Sequence, residues 1–320
     1  MNKENNIGTL EKALKINLDP CVYGSFAEIG AGQETANWFF RASGAAGTVA
    51  KSISAYDMTV SDRLYGPAKR YVSMERLKAM MECEYQSLCD RLEETRGSNT
   101  CFFTFCNTVK AKGYRDNGHW HGWMGMRFQL RPGLPPSDVI MHVRLNDPDH
   151  DAQMVALGIL GVNLIYAVIY KRDNMKEFVE SLVENIHSGD VDVDLLHFEG
   201  HGFQMMDNRL FALQLVESGL TGATMFQPNG VLEPAADLLY KKPIILMRGS
   251  FSPVTYLNME MMDATKKAFS KYLEPEARSR VLAVCEITIN NLLREGEIDH
   301  LEFLDRADAL QALGMTVLIT

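Results

Sequence analysis

The residues best placed to do chemistry lie in one short turn. Gly249-Ser250-Phe251-Ser252-Pro253-Val254-Thr255 follows an apolar run at 244–247 and precedes Leu257, Met261, Ala264, Ala268, Phe269 and Tyr272, which recur at the spacing of one helix face. Strand, glycine turn and helix together aim backbone N–H groups and the positive end of a helix at an anion. The N–H groups of Gly249, Ser250 and Phe251 would hold a nucleotide phosphate, Thr255 would add a hydrogen bond, and Asn258 would present an uncharged amide donor. Nucleotidyl transfer asks for little more, because positioning and charge stabilisation at the phosphate dominate it. The same residues equally suit a plain strand-to-helix turn in which Gly249 and Pro253 serve backbone geometry alone.

Three further sets carry chemical groups. Phe198-Glu199-Gly200-His201-Gly202 also lies between a strand pattern and a helix pattern, with Asp207 as the helix cap. Gly200 and Gly202 would let a ligand approach the backbone, and His201 would touch phosphate or act as acid or base, as one wall of a crevice shared with 249–255. His119 and His121 fall on one side of an extended segment and could converge on a metal with His142 or His150, which would make a metal-dependent enzyme the third reading. No spacing among them is diagnostic, and Asp147, Asp149 and Asp151 lack the glycine and closing Glu of a calcium loop, so no metal ligand is assigned. Glu28-Ile29-Gly30-Ala31-Gly32 resembles the glycine loop of methyltransferases or dinucleotide binders, yet no strand pattern precedes it and no third glycine completes it.

The 249–258 stretch resembles the first signature of the adenylyl- and cytidylyltransferases that make nicotinamide and coenzyme A nucleotides. In that family the strand ends in Gly-Ser/Thr-Phe-Asx-Pro, followed by four residues that begin with His or Thr and close with His. Thr255 fits the first position and Asn258 replaces the closing histidine. The family's second signature, Ser/Thr-rich and ending in Arg, has no counterpart after residue 280. The whole chain is also similar to a family of uncharacterised bacterial proteins often labelled nicotinate-nucleotide adenylyltransferase, whose members continue past Thr320. The resemblance implies adenylyl transfer from ATP, with Mg²⁺, to nicotinate mononucleotide in NAD biosynthesis, with Thr255 and Asn258 in catalysis and Gly249, Ser250 and Phe251 on the nucleotide. The place of the 198–202 loop past a strand end adds His201 to the catalytic set and Gly200 and Gly202 to the nucleotide site. The missing histidine and second signature favour an alternative, a Rossmann-like protein that binds a nucleotide or a partner without catalysis.

These groups need a scaffold, and the patterning predicts an α/β one in two parts. Residues 1–96 read as mostly helical, with Ser73 capping a helix whose Leu77, Met80, Met81, Tyr85, Leu88 and Leu92 form a core stripe. Segments 101–109, 123–130 and 139–145 read as an antiparallel meander, and Ser188-Gly189-Asp190 as the boundary between domains 1–189 and 190–320. From 191 onward strands and helices alternate, which predicts a parallel, doubly wound, Rossmann-like sheet with the 244–247 strand in its interior. The last strand pattern, 316–319, has no following element to cover it, so a longer natural chain is expected.

Composition narrows the partners. A net charge of −9 over 320 residues argues against sequence-independent binding to nucleic acid, which needs a basic footprint. Six cysteines without a CxxC pair, and an N-terminus without an apolar signal region, point to the cytoplasm. The longest apolar run, 154–170, contains Asn163 and two glycines and reads as buried rather than membrane-spanning. A small-molecule nucleotide is the expected partner, and oligomeric state is not legible.

Overall fold

The computed structural model describes residues 7–115 and 118–320. The chain divides into two compact units, Met1–Met206 and Asp207–Thr320. In the first, α1 (Thr9–Asn17), β1 (Val22–Gly30), α2 (Thr35–Arg41), β2 (Val49–Ile53), α3 (Met58–Tyr65), α4 (Met74–Arg96), β3 (Cys101–Lys110), β4 (Trp120–Phe128), β5 (Ser137–Leu145), α5 (His150–Tyr170), α6 (Met175–Ser181) and β6 (Val191–Gly200) follow one another. They build a six-stranded sheet in the order β2-β1-β3-β4-β5-β6. β1 runs parallel to both neighbours, whereas β3 to β6 are antiparallel. The fold is mixed α/β.

Two expectations change here. β1 and β2 lie inside the stretch expected to be helical. β1 escapes notice because Gly24, Ser25 and Ala27 dilute its apolar pattern, but Gly24 has a reason to be small. It sits opposite Phe103, and a Cβ there would lie 2.6 Å from that ring. Finally, β6 pairs with β5, so it closes the first unit instead of opening the second, and the division falls after Met206.

Two helices cover opposite faces of the sheet. A Cβ on Gly125 of β4 would touch Leu77 and Met81 of α4, while Phe105, on the other face, lies against Gly161 of α5. α4 starts as expected, with the Ser73 hydroxyl accepting from Arg76 N–H at 3.2 Å, and buries Leu77, Met80, Met81, Tyr85 and Leu88. α5 is long and apolar enough to cross a membrane, yet 72% of that stretch is buried inside the protein. Its two glycines admit α2. A Cβ on Gly158 would meet Glu34 Cβ at 2.6 Å, and one on Gly161 would meet Thr35 Oγ1 at 2.2 Å. Gly161→Val should therefore lower stability by about 1–3 kcal/mol through overpacking, read as a shift in the urea midpoint. An unchanged midpoint would mean that α2 does not press on α5.

The second unit carries α7 (Asn208–Glu217), β7 (Thr224–Phe226), α8 (Ala235–Leu239), β8 (Ile244–Arg248), α9 (Tyr256–Ser270), α10 (Pro275–Arg278), β9 (Leu282–Ile287), α11 (Ile289–Leu292), α12 (His300–Ala312) and β10 (Thr316–Ile319). Its sheet runs β7-β10-β9-β8, with β8, β9 and β10 parallel and β7 antiparallel. Strand and helix alternate as expected, but β8 is an edge strand paired with β9 alone, not an interior strand. Its Ile244 and Leu246 are 40% and 50% exposed. α9, expected to lie on the sheet, buries only Met262, while Leu257 and Met261 are 63% and 52% exposed. The three parallel strands follow chain order, so they lack the order reversal that opens a ligand crevice in doubly wound sheets. That reversal occurs in the first unit, at β1.

Candidate functional site

The 249–258 turn leaves β8 at its carboxyl end and enters α9, as the motif requires. Its side chains are spent on each other. Thr255 N–H and its hydroxyl donate to Asn258 Oδ1 at 2.8 and 2.7 Å, and Asn258 N–H donates to the Thr255 hydroxyl at 3.4 Å. This reciprocal pair is a capping box for α9. Gly249 N–H donates to Glu286 C=O at 3.2 Å, which extends the sheet. Phe251 takes a left-handed φ of +52° and is 4% exposed, and a Cβ on Gly249 would sit 3.2 Å from its ring. Gly249 thus makes room for Phe251 before any ligand is considered.

Charges along this edge are paired across strands. Arg248 donates twice to Glu286, at 2.8 Å each, and Thr320 Oγ1 adds a third bond at 2.9 Å, so the ends of β8, β9 and β10 are tied together. Arg248 holds the Glu286 carboxyl below its usual range. Arg306 of α12, 6% exposed, reaches Ser250 C=O through Nη1 at 3.3 Å and pairs with Glu302. Its buried Nε has no partner among the described residues. Ser252 Oγ donates to Glu302 at 3.1 Å. The turn therefore has a buried cation beneath it, on a helix that motif reading overlooked.

His201, Gly200 and Gly202 belong to the first unit. Their glycines answer local crowding: a Cβ on Gly200 would lie 2.8 Å from Ser137 Cα, and one on Gly202 would lie 2.3 Å from the Leu130 side chain. Gly200 has a φ of +101°, which only glycine adopts readily. Gly202 N–H donates to Ser137 Oγ at 2.9 Å, and His201 is exposed.

Part of the histidine set does converge. His121 Nδ1 lies 3.0 Å from His142 Nε2, and His142 Nδ1 lies 2.5 Å from Asp194 Oδ1. Three neighbouring strands supply this chain. A bulge aims its last member: pairing runs to His142↔Leu195 and then jumps to Val143↔Val193, leaving Asp194 as the extra residue. His142 and Asp194 are 3% and 6% exposed, and the His142 ring packs on Trp123 at 4.7 Å. His119 is exposed, and His150 bonds Lys112 C=O instead. Among the described residues no group of three or more His, Cys, Asp or Glu could hold a metal ion. Asp194 was not legible, since a strand pattern does not show a bulge.

The Glu28 loop has no strand pattern before it in the sequence, yet the structure supplies that strand as β1. The slot at its mouth is already filled. Glu28 accepts from Thr35 N–H at 3.1 Å and Ala36 N–H at 3.0 Å, the first amides of α2, and from Asn107 Nδ2 at 3.1 Å. A buried carboxylate stands where a phosphate would otherwise sit. Burial pushes Glu28 up to about 7, against the N–H donors that pull it down.

No family model and no curated protein matches this chain. Solved structures do match over about half of it. The competence/damage inducible protein CihA from Agrobacterium tumefaciens is 16% identical, covers 51% of this chain and 96% of its own, and has a TM-score of 0.36. CinA superfamily proteins from Klebsiella pneumoniae and Enterobacter cloacae are 10% and 12% identical, cover 52% and 53% of this chain and 99% and 96% of their own, and score 0.37 each. At these scores the likeness decides nothing about activity.

Proposed function

We propose that the second unit binds a nucleotide at the 249–255 turn, in an adenylyltransferase-like site whose turnover is slow or absent. The observation that carries the reading is the parallel strand, glycine turn and 15-residue helix α9, with the buried guanidinium of Arg306 under the turn. Tyr256 and Leu257 N–H, the first two of the helix, have no acceptor within it and suit a phosphate. Substrates would be ATP with Mg²⁺ and nicotinate mononucleotide, as the motif implies, and the compartment the cytoplasm, in keeping with six cysteines that form no disulfide. Catalysis is the weaker half of the reading, because Thr255 and Asn258 bond each other.

Calorimetry with Mg·ATP and with nicotinate mononucleotide should show binding, while pyrophosphate release stays slow. Gly249→Val should abolish binding, since its side chain drives the Phe251 ring out of the turn. Asn258→His should cost about 1 kcal/mol of stability through the lost cap. Affinity should hold, and turnover should rise by some part of the roughly 10²–10³-fold that one charge-stabilising donor is worth. No heat from either nucleotide with folded protein ends the proposal. Fast wild-type turnover would instead show that the capping box opens on substrate binding.

A further inference from the structure

We propose that His121 and His142 form a binding site for a borderline divalent cation of the Zn²⁺, Co²⁺, Ni²⁺ or Cu²⁺ class, oriented by Asp194. The site lies in the first unit and is independent of the nucleotide reading. Metal-bound histidines usually donate their second ring N–H to a carboxylate or carbonyl, which sets the tautomer and raises the basicity of the ligating nitrogen. His142 already has that support: Nδ1–H donates to Asp194 Oδ1 at 2.5 Å, so Nε2 presents its lone pair. That lone pair faces His121 Nδ1 at 3.0 Å. Two imidazole nitrogens on one tetrahedral ion stand about 3.3 Å apart, so the pair needs to open by only a few tenths of an ångström.

A 3.0 Å approach of two ring nitrogens needs one N–H between them. Binding a cation requires Nδ1 of His121 to carry no proton, the ring's single proton standing on Nε2. Both rings must also turn so that their lone pairs meet at an ion off the line between the nitrogens. The scaffold holds the donors in place. His121 and His142 stand on adjacent antiparallel strands, the β5–β6 bulge fixes Asp194, and the His142 ring packs on Trp123. Hard cations are disfavoured because both inner donors are imidazole nitrogens. Two protein ligands leave the remaining positions to water, and His121, only partly buried, gives the ion a way in.

The test uses the untagged full chain, titrated with ZnCl₂ by calorimetry and with CoCl₂ by visible absorption. One ion per chain is expected, with the absorption of a low-symmetry Co²⁺ site. His121→Ala, at a partly exposed position that leaves the core intact, should abolish stoichiometric binding. Asp194→Asn should keep the stoichiometry and weaken binding about 10–100-fold. Absence of stoichiometric binding to the wild type, retention of it by His121→Ala, or an Asp194→Asn variant with unchanged affinity would each overturn the proposal.

Discussion

Lys12→Ala should lower the unfolding free energy by about 2–5 kcal/mol, the range for truncating a fully buried long side chain to alanine. Lys12 is fully buried in α1, and its Nζ donates to Asn163 Oδ1 of α5 at 2.7 Å while pairing with Glu184 at 2.5 Å. Burial lowers its pKa, and Glu184 opposes that shift. Asn163 in turn donates to Leu182 and Glu184 C=O, at 2.9 and 2.7 Å, so one ammonium and one amide lock α1, α5 and the segment after α6 together. Truncation leaves Asn163 Oδ1 without a donor and opens a cavity the length of the lysine stem. Glu184 keeps Lys171 at 3.3 Å, so most of the loss falls on the amide and the cavity. Lys12→Met refills the volume and should recover part of it. Equal denaturation midpoints for wild type and Lys12→Ala would show that this polar node does not dock α1.

Glu28 should make stability fall as pH rises. Its carboxyl goes from an ordinary 4.5 in the unfolded chain to about 7 in the fold, because burial outweighs the amides of α2 and Asn107. The folded state then binds the proton more tightly, so the contribution is complete below about 4.5 and is lost as pH climbs through about 7. At 1.36 kcal/mol per unit, the swing is on the order of 3 kcal/mol. Glu28→Gln, neutral throughout, should flatten this component. It should also be less stable than wild type near pH 5, since its single oxygen cannot serve every donor that Glu28 accepts from. Unfolding midpoints measured from pH 4.5 to 8 decide the matter: parallel profiles for the two proteins would rule out Glu28 as the source.

Much of this was visible in the residues, and the failures share a cause. The α4 stripe from Leu77 to Leu88 and the apolar α5 were legible because helical spacing is local. β1 was hidden by Gly24, which is small only because Phe103 of a distant strand needs the room. β6 looked like the first strand of a new unit because nothing in its own residues names β5 as partner. At the candidate site the position of the 249–258 turn could be read from the motif, but not that Thr255 and Asn258 would bond each other. Arg306 and Asp194 carried no motif at all. One arrives from a later helix and the other through a bulge.

The placement of β1 between β2 and β3 also sets a clock on synthesis. β1 can pair with β2 within a short stretch of chain, but its other edge waits for β3, whose Cys101 lies opposite Val22. Those partners are separated by 101 − 22 = 79 residues. At about 5–20 residues per second, a ribosome leaves that edge open for roughly 4–16 seconds. Throughout that interval the backbone groups on that edge of a strand carrying Val22, Phe26 and Ile29 have no ladder to join. The first unit should therefore be most vulnerable to chaperone capture, and to pairing with neighbouring nascent chains, while α3 and α4 are still being made.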